Sequence, residues 1–130
     1  MEIITETNYV DHAESVIESM ITTDRRGQEK ISLTTSKIRN LLSMVNNLQS
    51  LAKQEKGTEI NGELMSKVQY LKMRFAYEAG REKSVNDFVK KANIMEIIGE
   101  IGNSKKKLLL FCNYMEALVA YHRYKGGRDR

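Results

Sequence analysis

The sequence predicts an all-α fold, a compact bundle of five to six helices. The chain has 130 residues, no proline and only 8 glycines, and its apolar residues recur at the three- and four-residue spacing of amphipathic helices. It lacks the short alternating runs and frequent turn residues of a sandwich or barrel. A chain of this length is expected to form one domain over residues 1–130, with a core of its own.

The first predicted helix carries an apolar stripe from Tyr9 to Ile21. Asn8 is the expected N-cap, because an asparagine side chain can accept a hydrogen bond from a free amide of the first turn. Residues 1–8 are expected to form a loose lead-in. Residues 22–33 show no apolar period and are expected to form a mobile, partly basic loop.

The second predicted helix begins at one of the three capping residues 34–36 and ends before a turn-rich loop at residues 54–62. Lys37 and Arg39 lie in or near its first turn, where cations oppose the helix dipole. Beside free amide donors they form an anion site, or they are merely solvated. Both interpretations stay open at this stage.

The third predicted helix, Leu64 to Lys83, has two distinct faces. Its buried stripe consists of Leu64, Val68, Leu71, Phe75 and Ala79. A neighbouring stripe alternates cations and phenol rings: Lys67, Tyr70, Arg74, Tyr77 and Arg81. Such a stripe can hold a polyanion, because cations neutralise phosphates and rings offer stacking. Taken alone, however, the stripe favours a structural interpretation, in which the tyrosines pack at the core boundary and the cations extend into water.

The remaining helices follow from two capping signals and one change of phase. Ser84, with Asp87 three residues later, resembles a capping box, and the apolar period slips near Asn93. Asn103 or Ser104 caps a last helix from Lys105 to about Lys125. This helix is apolar on two sides and is expected to be packed on both, by its own bundle or by a partner chain. Residues 126–130 are expected to form a loose tail.

Charge is divided unevenly along the chain. Residues 1–30 contain seven acidic and three basic side chains, a net charge of −4. Because the whole chain has a net charge of +4, residues 31–130 carry a net charge of +8. A basic body indicates an anionic partner. A single cysteine suits a reducing compartment, and the sequence shows neither a signal peptide nor an apolar run long enough to span a bilayer. These features predict a cytoplasmic protein.

Few residues suit catalysis. The chain has two histidines and one cysteine, with no spacing of metal ligands. Cys112 falls on the core stripe of the last helix and is expected to be an inert buried thiol, and His122 is expected to be a hydrogen-bonded histidine at the core boundary. We therefore expect no enzyme activity, no catalytic residues, no metal and no cofactor. What remains is a set of cations near helix ends that can form a groove for a nucleic-acid backbone, without reading bases.

Four segments carry motifs of one family. They are LTTSKIRNLLSMV (33–45), YLKMRFAYEAGRE (70–82), VNDFVKKANIMEII (85–98) and FCNYMEALVAYHRYKGG (111–127). Together with the opening TETNYVDHAESVI, they resemble the small subunit of the type III-A CRISPR effector, the Csm complex. The likeness covers nearly the whole chain except the loops at 22–33 and 54–62.

The resemblance implies a non-catalytic, all-helical subunit. Its copies would stack as a short filament beside the backbone subunits that hold the CRISPR RNA. They would line the channel where guide and target RNA pair, contacting mainly target phosphates. RNA cleavage would belong to the backbone subunits, and DNA cleavage and cyclic oligoadenylate synthesis to the large subunit. The predicted partners are therefore the duplex of target RNA and CRISPR RNA, the backbone and large subunits, and other copies of the chain, with no membrane.

The matching motifs assign RNA contact to seven residues: Lys37, Arg39, Arg74, Tyr77, Arg81, Lys83 and Arg123. On this interpretation the stripe of the third helix is an electrostatic contact rather than an aromatic platform. Tyr70 is assigned to boundary packing, and Tyr77 to either role. The alternative is a helical adaptor whose basic face binds an acidic protein without RNA, which the divided charge and the two-sided last helix also support.

Overall fold

A computed structural model describes residues 3–129 of the chain. These residues form six helices and one short hairpin, which confirms the predicted all-α bundle. The elements are α1 (Tyr9–Ser19), β1 (Ile21–Thr23), β2 (Glu29–Ile31), α2 (Thr35–Gln54), α3 (Gly62–Arg81), α4 (Lys83–Lys91), α5 (Ile94–Ile101) and α6 (Lys105–Tyr124).

Helix α6 lies at the centre of the bundle. It packs against α1, α2 and α5, while α3 packs against α2, α4 and α5. The rings of Phe75 on α3 and Phe111 on α6 meet edge to face, with 6.3 Å between centroids, and the buried hydroxyl of Tyr114 donates a hydrogen bond to the carbonyl of Ala92 at 2.9 Å. The bundle thus covers one apolar side of the last helix and part of the other, on which Tyr124 is 78% exposed.

Side-chain caps fix where the three longest helices begin. Thr34, Asn61 and Ser104 accept hydrogen bonds from backbone amides in the first turns of α2, α3 and α6, at 3.3, 2.8 and 3.1 Å. Each cap satisfies an amide that has no partner within the helix. Helix α2 extends to Gln54 and α3 starts at Gly62. The predicted loop at residues 54–62 is therefore one residue shorter at each end.

The short helices differ partly from prediction. Asn93 separates α4 from α5 in a left-handed conformation, with φ of 57°, which confirms the predicted break. The prediction of a capping box at Ser84 is wrong. Helix α4 begins at Lys83, and Glu82 occupies the N-cap position without a side-chain cap. Asp87 instead forms an ion pair with Lys83, at 3.0 Å.

Residues 22–33 contain a hairpin rather than a mobile loop, so that prediction was wrong. Strands β1 and β2 pair antiparallel, with Thr22 opposite Lys30. The Asp24 carboxylate accepts hydrogen bonds from the amides of Arg26 and Gln28 at 2.8 and 2.9 Å, and Gly27 adopts φ of 83°. The aspartate and the glycine hold a tight turn that the absence of an apolar period does not reveal.

Parts of both chain ends, which were predicted to be loose, make defined contacts; residues 1, 2 and 130 lie outside the described range. Ile4 is buried in the core. Asn8 occupies the N-cap position, but its side chain accepts from the Thr5 amide, at 2.7 Å. Gly127 is buried and donates to the His122 carbonyl at 2.7 Å. Its lack of a side chain leaves room for the His122 ring.

Candidate nucleic-acid interface

Helices α2, α3 and α4 border a cleft of about 460 Å³. Three of the predicted RNA-contacting residues, Lys37, Arg74 and Arg81, line it. Its other lining residues are Asn40, Leu41, Met44, Glu78, Glu82 and Val85. The sequence therefore identified one group of cations that the fold does bring together.

The burial of α2 and α3 positions these cations. The Thr34 cap starts α2 so that Lys37 falls in its first turn, and Arg74 and Arg81 lie seven residues apart, about two turns, on one side of α3. Leu71 and Phe75 are buried on the adjacent face of the helix and set the rotation of α3. The core stripe thus fixes which edge of α3 faces the cleft.

Each cation of the cleft has a carboxylate partner. Glu78 accepts from Arg74 at 3.1 Å and from Arg81 at 3.3 Å. Lys37 forms an ion pair with Glu82, and this hydrogen bond lowers the pKa of the Glu82 carboxyl below its usual 4.5. Three cations and two carboxylates leave one net positive charge in the cleft, so an entering phosphate must exchange with these partners.

Tyr77 lies beside the same cations. The guanidinium carbons of Arg74 and Arg81 are each 5.5 Å from the centroid of its ring, within the range of a cation–π interaction. The ring is 55% exposed. Tyr77 therefore belongs to the rim of the cleft and not to the core.

The groove between α2 and α3 continues past the cleft. A second depression of about 280 Å³ shares Met44 and Arg74 with the first and adds Lys67 and Tyr70 among its lining residues. Tyr70 is 61% exposed, so its assignment to boundary packing was wrong. The cation and tyrosine stripe of α3 lies along this groove.

The other three predicted contact residues lie outside the cleft. Arg39 is exposed on α2, two residues and about 200° around the helix from Lys37. Lys83 is 88% exposed and paired with Asp87. Arg123 is exposed near the end of α6. The structure brings Lys37, Arg74, Tyr77 and Arg81 together and leaves the other three outside the cleft.

The start of α2 already holds an anion from the chain itself. The Asp129 carboxylate accepts a hydrogen bond from the Ser36 amide at 2.9 Å, and this bond lowers the pKa of Asp129. Helix N-termini favour such negative groups. The predicted anion site at this helix start is therefore occupied in cis.

Sequence reasoning missed the acidic members of the cleft. The spacing of Glu78 from Arg74 and Arg81, four and three residues, is a readable signal of helical ion pairs. The pair of Lys37 and Glu82 spans 45 residues, and no local spacing reveals it. Only the packing of α2 against the junction of α3 and α4 creates that contact.

The groups that the sequence suggested for chemistry are in protected settings. Burial raises the pKa of the Cys112 thiol to about 12, which keeps it in the unreactive thiol form. The buried His122 ring forms a hydrogen bond through Nε2 with the Leu33 carbonyl, at 2.6 Å. Within residues 3–129, no three His, Cys, Asp or Glu side chains are grouped to hold a metal ion. No helix in that range is long and apolar enough to cross a membrane.

Comparison with known proteins identifies one family. The family model for Csm2 of type III-A systems matches residues 12–128. A Streptococcus thermophilus protein named CRISPR system Cms protein Csm2 is 45% identical over 129 residues, 99% of this chain and all of the relative. Proteins of the same name are 44% identical over 98 residues in Mycobacterium tuberculosis, covering 75% of this chain and 79% of the relative, and 37% identical over 107 residues in Enterococcus italicus, covering 78% and 76%.

Proposed function

The chain belongs to the type III-A Csm2 family, and we propose that it is the non-catalytic small subunit of a type III-A CRISPR interference complex. The observation that carries this proposal is the 45% identity to a Csm2 protein over the full length of that relative. The buried state of Cys112 and His122 supports a role without catalysis. Its site of action would be the cytoplasm.

The proposed ligand is the sugar–phosphate backbone of the target RNA paired with CRISPR RNA. Lys37, Arg74 and Arg81 converge on one cleft, and their ammonium and guanidinium groups are suitable donors to phosphate oxygens. Phosphate contacts carry no sequence information, which suits a subunit that must accept any target. Binding is therefore expected to be weak, indifferent to sequence and strongly dependent on salt.

The proposed protein partners are other copies of the chain, stacked as a filament, and the backbone and large subunits of the complex. The divided charge supports such stacking, because residues 1–30 carry a net −4 and the rest of the chain +8. Surfaces of opposite charge on one subunit favour contact between copies.

Native mass spectrometry of the full chain, mixed with the other subunits and CRISPR RNA, tests this function. We expect several copies in one ribonucleoprotein particle that also contains the guide and the backbone subunits. A discrete heterodimer with an acidic protein, formed equally well without RNA, would contradict the proposal and favour the adaptor alternative.

A further inference from the structure

The outer face of α3 is exposed and uncharged. Six exposed residues at helical spacing carry no charge: Met65, Gln69, Tyr70, Met73, Ala76 and Tyr77. Tyr70, Met73 and Tyr77 are 61%, 56% and 55% exposed. Such a group of aromatic and thioether side chains on a surface indicates a binding function.

We propose that Tyr70 and Tyr77 stack against unpaired nucleobases of an RNA strand whose phosphates lie in the adjoining groove. This inference rests on the proposed function and extends it, because it names the base as a second part of the ligand. It assigns the face to single-stranded RNA, at positions where guide and target are not paired. It adds ring stacking to the electrostatic contact expected from the sequence.

The two rings border the cations that would hold the backbone. Tyr77 is 5.5 Å from the guanidinium carbons of both Arg74 and Arg81, and Tyr70 lines the same depression as Lys67 and Arg74. A nucleotide carries its phosphate and its base on neighbouring parts of one unit. A row of cations beside a row of rings matches that order, as in other single-strand-binding surfaces.

Both tyrosines are exposed, and a base stacked on Tyr77 would share the ring with its two cation–π contacts or displace them. In the described part of the chain, neither hydroxyl of Tyr70 and Tyr77 has a hydrogen-bond partner, and neither residue is in the buried core. By contrast, Glu78 already pairs with both arginines, which reduces the positive charge available to phosphates. Stacking therefore supplies an attraction that these ion pairs do not weaken.

The spacing of the two tyrosines along α3 fits a stacked strand of bases. Seven residues separate Tyr70 from Tyr77, a rise of about 10 Å along the helix. That length matches about three bases at the roughly 3.4 Å spacing of a stacked strand. The lack of a carboxylate among the six residues also removes repulsion of an approaching strand.

The test compares the double variant Tyr70→Ala/Tyr77→Ala with the matched control Tyr70→Phe/Tyr77→Phe, in the full chain and in the assembled complex. The ligands are a single-stranded RNA that contains 2-aminopurine and a fully paired RNA duplex of the same length. We expect the alanine variant to lose about 5- to 150-fold in single-strand affinity for each base released. The phenylalanine variant should retain this affinity, and the alanine variant should lose clearly less affinity for the duplex than for the single strand.

Two further readouts separate stacking from charge. The 2-aminopurine fluorescence should be quenched by the wild type and by the phenylalanine variant but not by the alanine variant. The salt dependence of affinity should be equal in all three, because no cation is removed. Unchanged single-strand affinity in the alanine variant, or an equal loss for duplex RNA, would overturn the inference.

The outcomes also distinguish this inference from the proposed function. Salt-dependent RNA binding that is insensitive to both tyrosines would refute stacking and leave backbone contact standing. If neither chain nor complex of the wild type binds either RNA, both proposals fail. If the alanine variant binds RNA normally but no longer assembles with other copies, the face is a protein interface and the inference is wrong.

Discussion

Replacing Glu78 by glutamine should strengthen RNA binding and make it more sensitive to salt. Glu78 holds both Arg74 and Arg81, at 3.1 and 3.3 Å. The substitution keeps the shape of the side chain but removes its charge, so both guanidinium groups become available to phosphates. The net charge of the cleft rises from one positive charge to two.

The structure sets the size of this effect. Two released guanidinium groups allow one or two additional phosphate contacts, each of which steepens the plot of log affinity against log salt by about 0.7 for a single strand. Between 50 and 200 mM salt, the variant should therefore lose about 3- to 7-fold more affinity than the wild type. The stability cost should be small, about 0.5–1 kcal/mol, because the ion pairs are partly exposed.

Fluorescence anisotropy with a labelled single-stranded RNA over this salt range measures the RNA affinity and its salt dependence. Glu96→Gln is the matched control, because it removes one carboxylate from an exposed position on α5 that does not line the cleft. Weaker binding by Glu78→Gln, or a salt dependence equal to that of the control, would refute the reasoning. It would mean that Glu78 orients the arginines for binding instead of neutralising them.

Two further predictions concern stability and pH. Gly127→Ala should destabilise the fold by about 1–3 kcal/mol, because the new Cβ would lie 2.1 Å from the buried His122 ring. Gly80→Ala on α3 meets no atom within 4 Å and should preserve or raise the melting temperature in the same thermal scan. The pKa of Glu82 is lowered in the folded state. Its ion pair with Lys37 should therefore stabilise the fold at pH values above the usual pKa of the carboxyl group. This stabilisation should be lost as the pH falls through the lowered pKa. NMR titration of Lys37→Met should show the pKa of Glu82 rising towards 4.5, and an unchanged pKa would contradict this.

Local sequence patterns predicted most of the helical fold. The buried stripe of α3 and the caps at Thr34 and Ser104 depend only on residues within a few positions of one another, so spacing reveals them. The break at Asn93 was also visible as a change of apolar phase. The predicted cap at Ser84 failed because the chain turns from α3 into α4 within one residue, Glu82.

The contacts that escaped prediction join distant parts of the chain. The packed tail depends on Gly127 fitting against His122 and on Asp129 reaching the Ser36 amide, across 93 residues. The hairpin at residues 22–33 depends on one aspartate that caps its turn. Neither produces an apolar period, which is the signal that distinguishes a folded segment from a loop in sequence.

The candidate site shows the same division. The stripe of α3 placed Arg74, Tyr77 and Arg81 correctly on one edge, because a single helix fixes their relation. Lys37 joins these residues and Arg39 points elsewhere because of the way in which α2 is rotated against α3. The exposure of Tyr70 depends on the same packing, since a flanking residue is covered or open according to the neighbouring helix.

The central claim is that RNA is held by the cleft cations and not by the overall positive charge. Its most direct test is the salt dependence of RNA affinity for two triple variants with equal change in charge. One carries Lys37→Gln, Arg74→Gln and Arg81→Gln in the cleft, and the other Arg39→Gln, Lys83→Gln and Arg123→Gln outside it. We predict that the cleft variant loses most of its RNA affinity and that its slope of log affinity against log salt becomes shallower by about 2. The second variant should stay close to the wild type in both. Equal losses in the two variants, with both folded by circular dichroism, would contradict the account.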